Sequence, residues 1–176
     1  SLDDPLSYSN RGLAYRDNLE DYENALADFT KAIELDKENA TRYVYRANCY
    51  VKMEDYTNAL KDLDKAIDLA PEDPSLYNNR ASFYADLEEY DEALKDYAKV
   101  IEISTDDYET ARALNNRAMI YGFQGNIELE IKEYTKALTY LEHPIIYSLR
   151  ADSYLKLEDY EEKYNNGKPC DPLAEL

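Results

Sequence analysis

Five short strings in this 176-residue chain share one pattern and recur at nearly constant spacing. They are Asn10-Arg11-Gly12-Leu13-Ala14-Tyr15, Tyr45-Arg46-Ala47-Asn48-Cys49-Tyr50, Asn79-Arg80-Ala81-Ser82-Phe83-Tyr84, Asn116-Arg117-Ala118-Met119-Ile120-Tyr121 and Leu149-Arg150-Ala151-Asp152-Ser153-Tyr154. Each reads x-Arg-small-x-x-Tyr. The small residues stand at 12, 47, 81, 118 and 151, so the spacings are 35, 34, 37 and 33. A second string follows each of the first three: Tyr22…Ala25-Leu26…Phe29…Ala32-Ile33, Tyr56…Ala59-Leu60…Leu63…Ala66-Ile67 and Tyr90…Ala93-Leu94…Tyr97…Val100-Ile101. Small and apolar residues at helical spacing predict two helices per unit. A unit this short cannot bury both apolar faces alone, so neighbouring units must stack.

A period of about 34 residues with two helical strings per unit resembles the tetratricopeptide repeat family, over nearly the whole chain. With the small residue of the first helix counted as slot 8, slot 11 is Tyr in all five units. Slot 4 is Tyr8, Tyr43, Tyr77, Leu114 and Tyr147, and slot 17 is Tyr22, Tyr56, Tyr90, Ile127 and Tyr160. Slot 24 is Phe29, Leu63, Tyr97, Tyr134 and Gly167. Fifteen of the 19 tyrosines therefore occupy packing slots, which reads as core rather than as a stacking surface for bases. The resemblance implies an all-α, right-handed superhelical solenoid of antiparallel helix pairs. Its units run over about 5–39, 40–73, 74–107, 108–143 and a partial 144–164, followed by a tail at 165–176. The helix pairs are expected at 5–18/21–36, 40–53/56–69, 74–87/90–103, 107–123/127–140 and 144–157/160–165. Pro5, Pro74 and Pro144 suit the first turn of a helix, and Asp21, Asp55, Asn126 and Asp159 can cap second helices.

Some positions depart from the pattern. Unit one carries an extra residue near Asn18. Three extra residues around Ser104–Thr110 either add nearly a helical turn or open a loop. Glu130 replaces the small residue of slot 20, which predicts looser packing of that helix pair. In unit five Lys163 stands where Ala belongs, and Asn165-Asn166-Gly167-Lys168-Pro169 breaks a helix. The chain begins without Met and ends without a polar capping helix. That is the pattern of a piece of a longer protein, or of an end that docks.

Composition narrows the function. With 38 acidic and 20 basic residues the formal charge is −18, which disfavours nucleic acid and anionic membranes as partners. The four glycines form no phosphate-cradling loop, and the one histidine, His143, cannot build a metal cluster. Cys49 and Cys170 suggest no disulfide framework, and Cys49 reads as a small buried hydrophobe. No enzymatic activity, cofactor or metal is expected. No apolar run reaches membrane-spanning length, and a cytoplasmic location is the default expectation.

Four of the five slot-7 arginines have an acid at slot 23 of their unit. The expected structural ion pairs are Arg11–Asp28, Arg46–Asp62, Arg80–Asp96 and Arg117–Glu133. By resemblance, the first helices line a concave groove. Its expected peptide-binding residues are Tyr45, Asn48, Asn78, Asn79, Ser82, Arg112, Asn115, Asn116, Met119 and Phe123. A side-chain amide offers both a donor and an acceptor, which matches the backbone of an extended peptide. The set is similar to the asparagine ladder of O-GlcNAc transferase. A two-carboxylate clamp of the cochaperone kind falls short by two cations, with Val44 and Asn116 in their places. The groove slots hold Arg16, Lys52, Arg112 and Lys156 against Asp17, Asp86 and Asp152, so the acid excess lies elsewhere. The expected function is a protein-interaction scaffold that takes an extended or helical segment of another protein. The alternatives are self-association through the C-terminal unit, or the targeting or regulatory part of a larger protein.

Overall fold

The structure is a computed structural model that describes residues 4–165, with side chains through residue 158. Apart from Asn165, the expected tail lies outside the described residues. Among the described residues the chain is all-α. The helices are α1 (Pro5–Leu19), α2 (Tyr22–Leu35), α3 (Ala40–Lys52), α4 (Tyr56–Leu69), α5 (Pro74–Asp86), α6 (Tyr90–Ile103), α7 (Asp107–Phe123), α8 (Ile127–Tyr140) and α9 (Pro144–Asn165).

Among the described residues, six helices start where the sequence supplies a side-chain cap. Side chains of Asp4, Asp21, Asn39, Asp55, Asp106 and Asn126 accept the free N–H three residues on. Glu89, ahead of α6, makes no such bond. First helices end in one repeated device. Glu20, Glu54, Glu88 and Gly125 take positive φ (52°, 60°, 60° and 76°). The next residue then donates its N–H to the carbonyl of the slot-11 tyrosine. These bonds are Asp21 to Tyr15 (3.0 Å), Asp55 to Tyr50 (2.9 Å), Glu89 to Tyr84 (2.9 Å) and Asn126 to Tyr121 (2.8 Å). The left-handed residue thus satisfies carbonyls that the helix end would leave bare. The extra residue of unit one lengthens α1 and widens this turn, whose closing bond spans six residues there and five in the other units.

The chain forms two compact bodies that divide within α5, after Arg80. In the first, α1 packs on α2, α2 on α3 and α3 on α4, and α1 also touches α3. Its core holds Ala25, Phe29 and Cys49, with Leu13, Tyr15, Tyr22, Leu26 and Tyr45 against them. Gly12 is required here, because a Cβ would stand 2.8 Å from the Phe29 ring. Burial pushes the Cys49 thiol up to about 11. In the second body α6 packs on α7, α7 on α8 and α8 on α9. Leu114, Ala118, Tyr134, Ala137 and Ile146 form its centre.

Of the departures, the insertion takes one of its two expected forms, and Glu130 and unit five differ from expectation. The three-residue insertion becomes helix, so α7 has 17 residues where α3 and α5 have 13. Glu130 does not open the α7–α8 pair, because Gly122 makes room for it. A Cβ at Gly122 would lie 2.8 Å from the Glu130 carboxyl carbon. Unit five does not reverse at 157–160. α9 continues unbroken to Asn165, and Asp159 lies inside it instead of capping a second helix. A reversal needs a non-glycine residue in the left-handed region, at about 1–2 kcal/mol. With Lys163 in the small slot, a returning helix has little packing to offset that cost. Tyr147 and Tyr154 consequently stay exposed (44% and 52%) instead of joining a core.

Candidate functional site

The repeated arginines are the most regular polar feature. Arg11 grips Asp28 with two bonds, Nε to Oδ2 (2.7 Å) and Nη2 to Oδ1 (2.6 Å). Arg46 holds Asp62 in the same way (both 2.7 Å), and its Nη1 reaches Thr30 Oγ1 (3.3 Å). Arg80 Nη1 donates to Asp64 Oδ1 at 2.6 Å, while Asp96 is buried on α6. Arg11, Arg46, Arg80 and Arg150 each lie over the slot-4 tyrosine three residues earlier, 5.4–6.0 Å from its centroid. Unit four is the exception. Leu114 replaces that tyrosine, and Arg117 makes one 3.2 Å bond to Glu133. Arg117 Nε and Glu133 Oε2 have no hydrogen-bond partner among the described residues.

In the first body, the Arg16 guanidinium of α1 lies over the Tyr45 ring of α3 at 5.5 Å. Tyr45 in turn meets Phe29 at 5.6 Å between centroids. Asp17 holds Arg16 through two bonds and keeps its guanidinium above the ordinary arginine range. Asn48 and Asn79 are exposed. Asn78 is buried (4% exposed), so it leaves the expected set of surface contacts.

In the second body, the expected residues converge on a tyrosine that the sequence marks only as core. Tyr97 is 2% exposed, and its hydroxyl meets Ser82 Oγ at 3.1 Å. Asn116 Nδ2 donates to the same hydroxyl at 3.2 Å. Burial pushes the Tyr97 phenol up, and the two hydrogen bonds oppose that. Asn115 Nδ2 contacts Asn116 Oδ1 (3.5 Å) and Met119 Sδ (3.8 Å). Met119 and Phe123 are exposed (40% and 69%), and Phe123 stacks on Tyr90 at 6.2 Å. Arg112 pairs with Glu109 along α7 at 3.8 Å. One face of this body therefore carries oriented amides beside exposed apolar groups. The sequence reading also missed the buried Arg42, which donates to Ser9 Oγ and to the backbone and carboxylate of Asp36.

Three matches to tetratricopeptide repeat family models tile the chain, at residues 6–39, 40–73 and 72–143. The chain belongs to the tetratricopeptide repeat family. No curated protein matches it in sequence. Several solved structures share its fold. PilF of Pseudomonas aeruginosa has a TM-score of 0.75 and 18% identity over 95% of this chain and 78% of that one. YrrB, described as a repeat protein with an unusual peptide-binding site, has a TM-score of 0.67 and 23% identity over 94% and 84%. The first repeat domain of Spaghetti (RPAP3), solved with the HSP90 peptide SRMEEVD, has a TM-score of 0.60 and 25% identity over 69% and 93%.

Within the tetratricopeptide scaffold, the first helices of units two to four (α3, α5 and α7) carry both the slot-7 arginines and the candidate contacts. Arg11, Arg46 and Arg117 reach the second helix of their own unit, and Arg80 reaches Asp64 on α4. No helix among the described residues is long and apolar enough to cross a membrane.

Proposed function

We propose that this tetratricopeptide chain is a non-catalytic scaffold that binds an extended or helical segment of another protein on the faces of its first helices. The observation that carries this reading is the state of its amides. Asn48 and Asn79 are exposed, and Asn116 is held by Tyr97 rather than left to rotate. A fixed amide offers its carbonyl to a peptide N–H with less ordering cost than a free one. Met119, Phe123 and Tyr45 add apolar surface, and Arg112 adds positive charge. Peptide-binding neighbours, YrrB and the Spaghetti domain, support the same class of ligand. The charge of −18 opposes nucleic acid and anionic membranes as partners. The test uses a protein retained by the immobilised chain. Asn48→Ala with Asn79→Ala should weaken it about tenfold or more, with helix content unchanged. Equal affinity removes the amides from the site.

A second reading has its own observation. Ile145, Tyr147, Tyr154 and Leu155 of α9 are 44–62% exposed, which favours association through this helix. Sedimentation that shows only monomer up to high concentration removes self-association.

A further inference from the structure

We propose that the insertion preceding unit four builds a side-chain pocket, and that it receives one leucine- or phenylalanine-sized residue of the bound protein segment. This inference rests on the protein-binding reading and adds a chemical preference to it. The added turn of α7 carries Tyr108, which forms one wall. Ile145, at the start of α9, belongs to the facing rim. Ala111 and Ile146 are buried and give the pocket an aliphatic floor. The cavity measures about 170 Å³. An apolar cavity of about 150 Å³ holds benzene, so this one takes a single aliphatic or phenyl side chain. Tyr108 and Ile145 are exposed at 59% and 62%, so an occupant would cover apolar surface that now faces water.

The polar groups at the edge select a peptide over a plain hydrocarbon. Asn115 lines the pocket, and its Oδ1 is a buried acceptor with no hydrogen-bond partner among the described residues. Rotation of the Asn115 amide toward the pocket would bring this acceptor to a backbone N–H beside the anchoring side chain. His143 accepts the Ile145 N–H at Nδ1 (3.3 Å) and the Ile146 N–H at its backbone oxygen (3.0 Å). Those two bonds fix the α8–α9 connection as the second wall. The lining includes the guanidinium of Arg112, which pairs with Glu109 on α7, and no carboxylate. In a chain of charge −18 that spares an apolar guest the cost of desolvating an acid.

The test is a methyl-detected NMR titration of the whole chain with N-acetyl-leucinamide, N-acetyl-phenylalaninamide and, as control, N-acetyl-lysinamide. The first two should give saturable shifts at Ala111, Ile145 and Ile146, with millimolar dissociation constants as expected for probes of this size. Tyr108→Ala and, separately, Ile145→Ser change exposed side chains and should leave helix content intact. Each should weaken both probes by about fivefold or more. Shifts that fail to saturate, that lysinamide matches, or that survive both substitutions would overturn the pocket. The protein-binding reading is tested apart, by Asn48 and Asn79, which lie outside this pocket.

Discussion

Asn116 of α7 donates its side-chain amide to the buried hydroxyl of Tyr97 on α6, at 3.2 Å. Ser82 meets the same oxygen at 3.1 Å. One phenol therefore ties α5, α6 and α7 together, and it decides which end of the Asn116 amide is spent internally. The amide nitrogen serves the fold, and the carbonyl, 3.5 Å from Asn115 Nδ2, keeps a second lone pair for a ligand. A residue read as a ligand contact thus works partly as structure.

Replacing Tyr97 with Phe keeps the ring and removes the hydroxyl. We expect a loss of about 1 kcal/mol in stability, the net worth of such hydrogen bonds. Partner affinity should also fall severalfold, because Asn116 regains rotational freedom. Chemical denaturation and calorimetry check the two effects. Unchanged affinity would mean that the orientation of Asn116 is irrelevant to binding.

The arginine pairs should differ in worth between units. Asp62 is buried and holds Arg46 through two bonds of 2.7 Å. Asp62→Ala leaves that guanidinium, itself over two tyrosines, without its main partner. A cost of about 2 kcal/mol is expected, between that of exposed and fully buried pairs. Glu133→Ala should cost less, since Arg117 makes one bond of 3.2 Å and has no slot-4 tyrosine beneath it. Hydrogen exchange in α3–α4 and α7–α8 reads each unit separately, which suits an array that need not unfold in one step.

Gly122 and Glu130 form a matched pair. Gly122→Ala gains about 1 kcal/mol of helix propensity but drives a Cβ to 2.8 Å from a buried carboxyl group. The carboxyl ends a flexible side chain and can swing aside only by leaving its buried place beside Lys156, so a net loss of about 1 kcal/mol is expected. In a Glu130→Ala background the same change should stabilise. A double-mutant cycle measures the sign change. Additive effects would contradict the pairing.

These residues show what the sequence makes legible. The helix pairs are readable because Ala25, Ala59 and Ala93, with Phe29, Leu63 and Tyr97, repeat the same packing chemistry, and all are buried. The reversal in unit five is misleading. Leu157-Glu158-Asp159-Tyr160 reads almost like Met53-Glu54-Asp55-Tyr56, yet only the latter turns. The difference lies downstream, in whether a second helix has a small face to pack. Of the Gly122–Glu130 match only Glu130 stands out in the sequence as a departure, and geometry joins it to Gly122. Tyr97 needed a longer view. Tyr134 occupies the same slot, but there the following unit offers Leu149 where Tyr97 finds Asn116. Burial, with Glu130 nearby, pushes that phenol up to about 12. Hydroxyl partners of this kind depend on contacts between units, which periodicity within one unit cannot reveal.

The most direct test of the scaffold reading is site-specific photocrosslinking of the chain in its own cells. Benzoylphenylalanine would replace Asn48 or Phe123 on first helices, and Lys65 or Lys136 on second helices, all exposed positions. The account predicts that one and the same protein crosslinks from positions 48 and 123 and not from 65 or 136. Crosslinks confined to 65 and 136 would contradict it.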